Sequence, residues 1–221
     1  MKNQELINRL PNPLKLFKRI GHVSWQMLKA RKRPSSNFYV YFGVPGSGKT
    51  TYAAYITKKA LKAGEKVYSN VPIKGALQLD PLADIGHVDI SNGHVIIDEA
   101  GIEYDNRNSR NFPKAATYFF KFHRHYRTNV YLFSQGYDDM DKKLRTLATS
   151  LFVVKKSYIP FCIRVYQIFK RVGVNDLTKD ICDEYFKKPF SGKRVFTPPL
   201  WDMFDTYSAK ELPEKEWSEW G

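Results

Sequence analysis

Hydrophobic and polar positions along the chain predict strands that alternate with helices from residue 37 onward. A helical pattern with Tyr52, Ile56 and Ala60 on one face stops at Gly64, and a second covers residues 114–127. Strands separated by helices favour an α/β fold, with a mainly parallel sheet covered on both faces. Segments rich in β-branched and aromatic residues predict four of its strands: 37–42, 66–71, 94–98 and 129–134.

The pattern changes after residue 134. Residues 150–158 and 161–171 predict an antiparallel hairpin around Pro160, at an edge of the sheet. Residues 14–30 predict a basic amphipathic helix, which adsorbs to an anionic membrane or nucleic acid, or else folds back as a surface helix. The predicted domains are a basic N-terminal arm (1–36), the core (37–175) and a C-terminal extension with an acidic tail (176–221).

Charge favours a polyanionic partner. Lys and Arg number 36 against 22 Asp and Glu, which gives a formal net charge of +14. Residues 1–35 carry nine basic residues and one acid, and residues 107–130 and 142–171 carry basic residues without acids. A balance of this kind is typical of proteins that meet DNA or an acidic membrane face.

The sequence favours a location in the cytoplasm. The two cysteines, Cys162 and Cys182, have no metal-type spacing and are too few for a disulfide framework. No apolar run reaches the 18 or so residues of a membrane span, and the N-terminus lacks the pattern of a signal peptide. Attachment at the inner face of the cell membrane stays open as an alternative.

The turn after the first strand carries the strongest chemical signal. It fits the phosphate-binding loop pattern GxxxxGK[ST] at every fixed position, between a predicted strand and a predicted helix. Its glycines turn backbone amides toward an anion, Lys49 reaches the β- and γ-phosphates, and the Thr50 hydroxyl ligates Mg²⁺. The predicted nucleotide-binding residues are Gly43, Gly46, Ser47, Gly48, Lys49, Thr50 and Thr51.

Acidic and amide side chains follow two of the apolar strands. Asp98 and Glu99 end one strand, and we expect Asp98 to hold Mg²⁺ through water while Glu99 activates the attacking water. Gln135 follows another strand, where it contacts the γ-phosphate or the lytic water, or simply caps the strand. An Asp–Glu pair favours hydrolysis over phosphoryl transfer to a small molecule, so a small-molecule kinase is disfavoured.

The 114–127 helix and the segment after it supply candidate arginines. The helical pattern directs Lys121, Arg124 and His125 outward, where they contact DNA phosphates, serve a neighbouring subunit's nucleotide, or form a solvated face. The predicted inward stripe comprises Ala115, Tyr118, Phe119, Phe122 and Tyr126. Arg124 and Arg145 are the candidate catalytic arginines, and Arg107, Arg110 and Arg127 stay open.

Five segments together resemble a known family. In order and spacing, GVPGSGKTTYAAY, VYSNVPI, HVIIDEAGIEYDNR, FFKFHRHYRTNVYLFSQ and DMDKKLR are similar to the zonular occludens toxin-like (Zot) ATPases of the FtsK/HerA superfamily, over residues 37–158. The resemblance implies a RecA-like P-loop NTPase that uses ATP and Mg²⁺ and assembles as a ring. It places Lys49 and Thr50 at nucleotide-binding positions, Asp98 and Glu99 at the acidic pair, and Gln135 at the sensor position.

The resemblance also implies a role in phage or viral morphogenesis. We expect an ATP-hydrolysing motor for DNA export, virion assembly or DNA packaging, with DNA, further copies of the chain, and membrane or phage assembly proteins as partners. Filamentous-phage members carry a membrane span after the ATPase. No such run occurs here, so the packaging motor of a tailless virus competes with export. A nucleotide-gated scaffold without sustained translocation is the alternative from another class.

Overall fold

The structure is a computed structural model, which describes residues 36–104, 113–174, 181–187 and 192–205. The strands are β1 (Phe38–Phe42), β2 (Lys66–Ser69), β3 (Leu77–Gln78), β4 (Gly93–Ile97), β5 (Asn129–Ser134), β6 (Ser150–Lys156), β7 (Cys162–Val174), β8 (Ile181–Lys187) and β9 (Lys193–Phe196). The helices are α1 (Lys49–Lys62), α2 (Ala100–Glu103), α3 (Lys114–Phe122) and α4 (Lys142–Leu147), with a 3₁₀ helix at Pro198–Met203.

One mixed sheet organises these elements. Its strand order is β3-β2-β4-β5-β1-β6-β7-β8, and β9 also pairs with β7. The pairs from β3 to β6 are parallel, whereas β7 pairs antiparallel with β6, β8 and β9. The predicted α/β fold with an antiparallel hairpin is therefore confirmed.

Alternation along the central strands builds a hydrophobic core on each face of the sheet. On one face, Val95 and Leu132 pack in a cluster with Phe120 of α3 and Leu144 of α4. On the other face, Ile96, Tyr131 and Phe133 pack with Ala53 and Ile56 of α1. Burial on both faces explains the continuous apolar runs of β4 and β5, which are typical of parallel sheets.

The first helix ends as its sequence predicts. Gly64 adopts a left-handed φ of 74°, and the amides of Gly64 and Glu65 donate to the carbonyls of Leu61 and Ala60. Glycine reaches this conformation without a steric penalty, so it reverses the chain toward β2. The position of Gly64 was enough to predict the end of the helix, because a glycine in this conformation acts on the neighbouring backbone alone.

The third helix corrects two predictions. It ends at Phe122 instead of residue 127, because the chain turns into β5 through an Arg127 with φ 54° and a hydrogen bond from the Thr128 amide to the His123 carbonyl. Tyr118, predicted to face inward, is 60% exposed. Phe119 is buried as predicted, and the other buried side chains of the helix are Ala116 and Phe120.

The segment after residue 175 adds to the sheet. The sequence predicts no strands there, yet β8 and β9 both pair with β7. The predicted N-terminal helix (14–30), Arg107 and Arg110 lie outside the described residues. Within the described ranges, every helix is too short or too polar to cross a membrane.

Candidate functional site

The phosphate-binding loop Gly43–Thr50 leaves the carboxyl end of β1 and enters α1. Gly46 and Gly48 take left-handed φ values of 70° and 97°, which residues other than glycine rarely adopt. Gly43 is required for a different reason, because a Cβ there would lie 2.5 Å from the Val154 carbonyl oxygen. The backbone geometry of the loop therefore requires glycine at each of these three positions.

Lys49 and Ser47 point into the loop. Lys49 is 6% exposed, and its Nζ donates a hydrogen bond of 3.0 Å to the Gly43 carbonyl, which holds the ammonium group across the loop. The Ser47 hydroxyl is buried, and no partner for it occurs among the described residues. Gly48 caps α1 without a side chain, so the first-turn amides have no intrahelical or side-chain acceptor. The loop therefore concentrates positive potential and free donors, as an anion site requires.

The two predicted metal-binding residues meet above this loop. Thr50 Oγ1 donates a hydrogen bond of 2.7 Å to Asp98 Oδ2, although the residues are 48 positions apart in sequence. Asp98 is buried and directly follows β4. In the sheet, only β5 separates β4 from β1, the strand that leads into the loop. A hydroxyl and a carboxylate oxygen at this spacing suit a hard, oxygen-seeking cation such as Mg²⁺. Within the described ranges, no cluster of three or more His, Cys, Asp and Glu side chains forms a separate metal site.

Glu99 and Gln135 also come together. Gln135 Nε2 donates to Glu99 Oε1 at 3.3 Å, which joins the ends of β4 and β5. Glu99 has φ 53° and ψ 41°, a left-handed conformation that is unusual for glutamate, and its amide donates to Asp98 Oδ1 at 3.0 Å. Strained backbone of this kind is typical of functional sites, where it aims a side chain. Here it turns the Glu99 side chain toward Gln135.

Asn70, which the sequence analysis did not assign to the site, fixes the acidic strand end. Its Nδ2 donates to the Asp98 carbonyl at 2.9 Å, and its Oδ1 accepts from the Asp98 amide at 2.8 Å. The side chain thereby extends the β2–β4 ladder by one residue. Its only sequence signal is a polar residue directly after a short strand, at the sheet edge where ligands of parallel sheets bind.

The remaining predicted residues lie in three places. Thr51 lies half-buried in the first turn of α1. Arg145 is held by its own chain, with Nη1 2.6 Å from Asp138 Oδ1 and its guanidinium carbon 4.6 Å from the Tyr137 ring centroid. Arg124 is exposed in the turn that precedes β5, at the amino end of the strands, so the sheet separates it from the loop of its own chain.

Comparison with known proteins identifies the family. The family model for zonular occludens toxin (Zot) matches residues 73–191, just over half of the chain. The chain belongs to the Zot family. This confirms the resemblance read from the sequence, while membership of the FtsK/HerA superfamily stays a prediction. The match begins after the phosphate-binding loop, so the loop rests on its own residues and geometry.

The fold of this Zot-family chain also occurs in a solved structure. The N-terminal domain of zonular occludens toxin from Neisseria meningitidis superposes with a TM-score of 0.50 at 17% identity, over 77% of this chain and 100% of that chain. The genome packaging NTPase B204 from Sulfolobus turreted icosahedral virus 2, in complex with ATP-gammaS, gives 0.45 at 13% identity over 70% and 98%. The comparison with curated protein sequences finds no match. At 17% identity, the similarity to the Neisseria meningitidis domain shows a common fold and nothing finer.

Proposed function

We propose that the chain is an ATP-hydrolysing motor of phage or viral morphogenesis that moves DNA. The observation that carries the proposal is the convergence of Lys49, Thr50, Asp98, Glu99 and Gln135 from three separate segments at the carboxyl edge of the sheet. That edge is where ligands of parallel sheets bind. Family membership adds the biological setting.

Each side chain has a role in this proposal. The loop amides and Lys49 hold the β- and γ-phosphates, and Lys49 exchanges its hydrogen bond to Gly43 for phosphate oxygens. Thr50 and Asp98 would hold Mg²⁺, which neutralises the charge that develops on the leaving phosphates. Glu99 accepts a proton from the attacking water, and Gln135, already bonded to Glu99, orients that water and responds when the γ-phosphate leaves.

The positions of Arg124 and Arg145 are the reason that the proposal includes assembly as a ring. An exposed Arg124 at the amino end of the strands cannot serve the loop of its own chain, but in a ring it can reach the nucleotide of a neighbouring copy. Arg145 would need to leave Asp138 and Tyr137 to do so. We therefore favour Arg124 as the residue that acts in trans.

The proposal that the motor moves DNA rests on the charge of the chain. The net charge of +14 includes basic segments without acids at residues 107–130 and 142–171. Phosphate contacts from lysine and arginine supply most sequence-independent affinity for DNA. Export and packaging both fit this distribution of charge along the sequence.

Steady-state ATP hydrolysis by the purified chain, with and without single- and double-stranded DNA over a protein titration, tests the proposal. A ring motor should accelerate on DNA and gain specific activity as its concentration rises, since active sites are shared between copies. The preferred DNA form would separate single-strand export from duplex packaging. Slow hydrolysis that ignores DNA and concentration would contradict the motor and favour the nucleotide-gated scaffold.

A further inference from the structure

Two exposed aromatic rings lie at the start of β7, the strand that contacts the end of the phosphate-binding loop. Phe161 and Trp201 are 61% and 54% exposed, and their ring centroids are 6.0 Å apart at an interplanar angle of 65°. Side chains of this size cost free energy when they stay in water, so an exposed pair next to a ligand site is a sign of an unfilled contact.

The backbone around both rings is fixed. The Phe161 carbonyl accepts from the Thr197 amide at 2.8 Å and from Thr197 Oγ1 at 3.0 Å, which holds Phe161 at an unfavourable φ of 56°. Lys58 Nζ donates to the Pro199 carbonyl at 2.7 Å and ties the 3₁₀ helix to α1. Leu200, next to Trp201, is buried in the core against α1. The rings are therefore presented by rigid segments, which lowers the entropy lost on binding.

The direction of a bound nucleotide points to these rings. Asp98, Glu99 and Gln135 follow β4 and β5, which lie on one side of β1 in the sheet, whereas β6 and β7 lie on the other. The γ-phosphate faces the acidic residues in the proposed function. The α-phosphate and nucleoside consequently extend toward β6 and β7.

The loop contacts β7 on that side. A Cβ on Gly48, the last glycine of the loop, would lie 2.6 Å from Ile163 Cγ2. Phe161 is two residues before Ile163, so the Cα atoms of these two residues lie within about 7 Å of each other. This separation is on the scale of one nucleoside.

We propose that Phe161 and Trp201 form the nucleobase-binding surface of the site, where the base of the nucleotide stacks on exposed aromatic rings. The inference rests on the proposed function, because it takes the phosphates to lie in the Gly43–Thr50 loop. It assigns recognition of the nucleoside to the hairpin turn and the 3₁₀ helix, two segments that sequence motifs do not mark. Stacking of a base on an aromatic side chain changes affinity by roughly 5- to 150-fold.

Calorimetric titration of the full chain with ADP and, separately, with inorganic tripolyphosphate tests the inference. Trp201→Ala and Phe161→Ala should each weaken ADP binding about tenfold and leave tripolyphosphate binding unchanged. Trp201→Phe, which keeps a ring, should restore most of the ADP affinity. Phe196→Ala is the matched control, since Phe196 is also exposed and lies in β9 close in sequence to Trp201.

The outcomes separate this inference from the proposed function. If the wild-type chain binds neither ligand, the proposed function fails. If it binds both and ADP affinity survives both alanine substitutions, the nucleobase surface alone is overturned. Equal weakening of ADP and tripolyphosphate, with an unchanged melting temperature, would also overturn it, because a stacking surface does not contact the phosphates.

Discussion

The polar side chains at the two ends of the parallel strands differ in how deeply their hydrogen bonds are buried. At the carboxyl end, the bond from Thr50 to Asp98 is only partly buried and the bond from Gln135 to Glu99 is exposed. At the amino end, the buried Thr128 hydroxyl donates to the Ile90 carbonyl, and His94 is bonded to both Tyr131 and Glu65.

The difference separates ligand chemistry from stability. Side chain pairs such as Thr50–Asp98 can exchange their contact for a cation or a phosphate oxygen without opening the core. The Thr128 bond to a buried carbonyl has no such substitute, since removal would leave an acceptor without a partner. We therefore expect substitutions at the carboxyl end to change activity, and substitutions at the amino end to change stability.

The largest expected effect at the carboxyl end is on nucleotide binding. Lys49→Ala removes the ammonium group that lies across the loop at the Gly43 carbonyl and would bind the phosphates. Calorimetry should therefore detect no ATP binding. Lys62→Ala, an exposed lysine of the last turn of the same helix, is the control and should bind ATP normally. Unchanged ATP affinity in Lys49→Ala would remove the loop from the site.

A smaller effect on turnover should come from Asn70→Ala. Loss of two hydrogen bonds to Asp98, each worth about 1 kcal/mol, lets the acidic strand end shift and should lower kcat about tenfold with KM nearly unchanged. Asn129→Ala is the matched substitution at the amino end, where its side chain accepts from the Asn37 amide. If Asn129→Ala lowers kcat as much as Asn70→Ala, the two ends are not functionally distinct.

At the amino end, Thr128→Val should destabilise the fold without touching turnover. The Ile90 carbonyl loses its buried donor, at a cost of about 1–3 kcal/mol in the free energy of unfolding measured by denaturant titration. Thr146→Val is the control, because its hydroxyl bonds to the Lys142 carbonyl in an exposed turn that water can reach. A drop in kcat at unchanged stability would assign Thr128 to the functional end instead.

The smallest expected effect is on the pH dependence of folding stability. Burial lowers the pKa of His123 below its usual 6.5, with nearby Arg124 acting in the same direction and the hydrogen bond to the Phe120 carbonyl opposing it. The unfolded chain therefore binds the proton more readily, and stability should fall as pH drops from 6.5 toward the folded pKa. His123→Gln should flatten this part of a melting-temperature profile, and an unchanged slope would contradict the assignment.

Local signals explain how much the sequence could predict. The glycine turns at Gly46, Gly48 and Gly64 and the apolar runs of β4 and β5 act over a few residues, so the loop, α1 and both strands are readable directly. The meeting of Thr50 and Asp98 follows from one rule of parallel sheets. These signals need no knowledge of distant partners.

Features that depend on distant partners were not readable. Asn70 is recognised only through its bonds to a residue 28 positions away. Strands β8 and β9 exist through pairing with β7, and strand propensity alone is a weak guide at a sheet edge. The early end of α3 at Phe122 likewise reflects the approach to β5, since the helical pattern itself continues to residue 127.

Phosphate release from ATP by the wild-type chain, Glu99→Gln and Glu65→Gln tests the central claim most directly. Glu99 lies at the functional end, and Glu65 lies at the stabilising end against His94. Glu99→Gln should bind ATP yet hydrolyse it on the order of 10²–10⁴-fold more slowly, because a positioned base is lost, while Glu65→Gln keeps wild-type turnover. Wild-type turnover in Glu99→Gln would contradict the account.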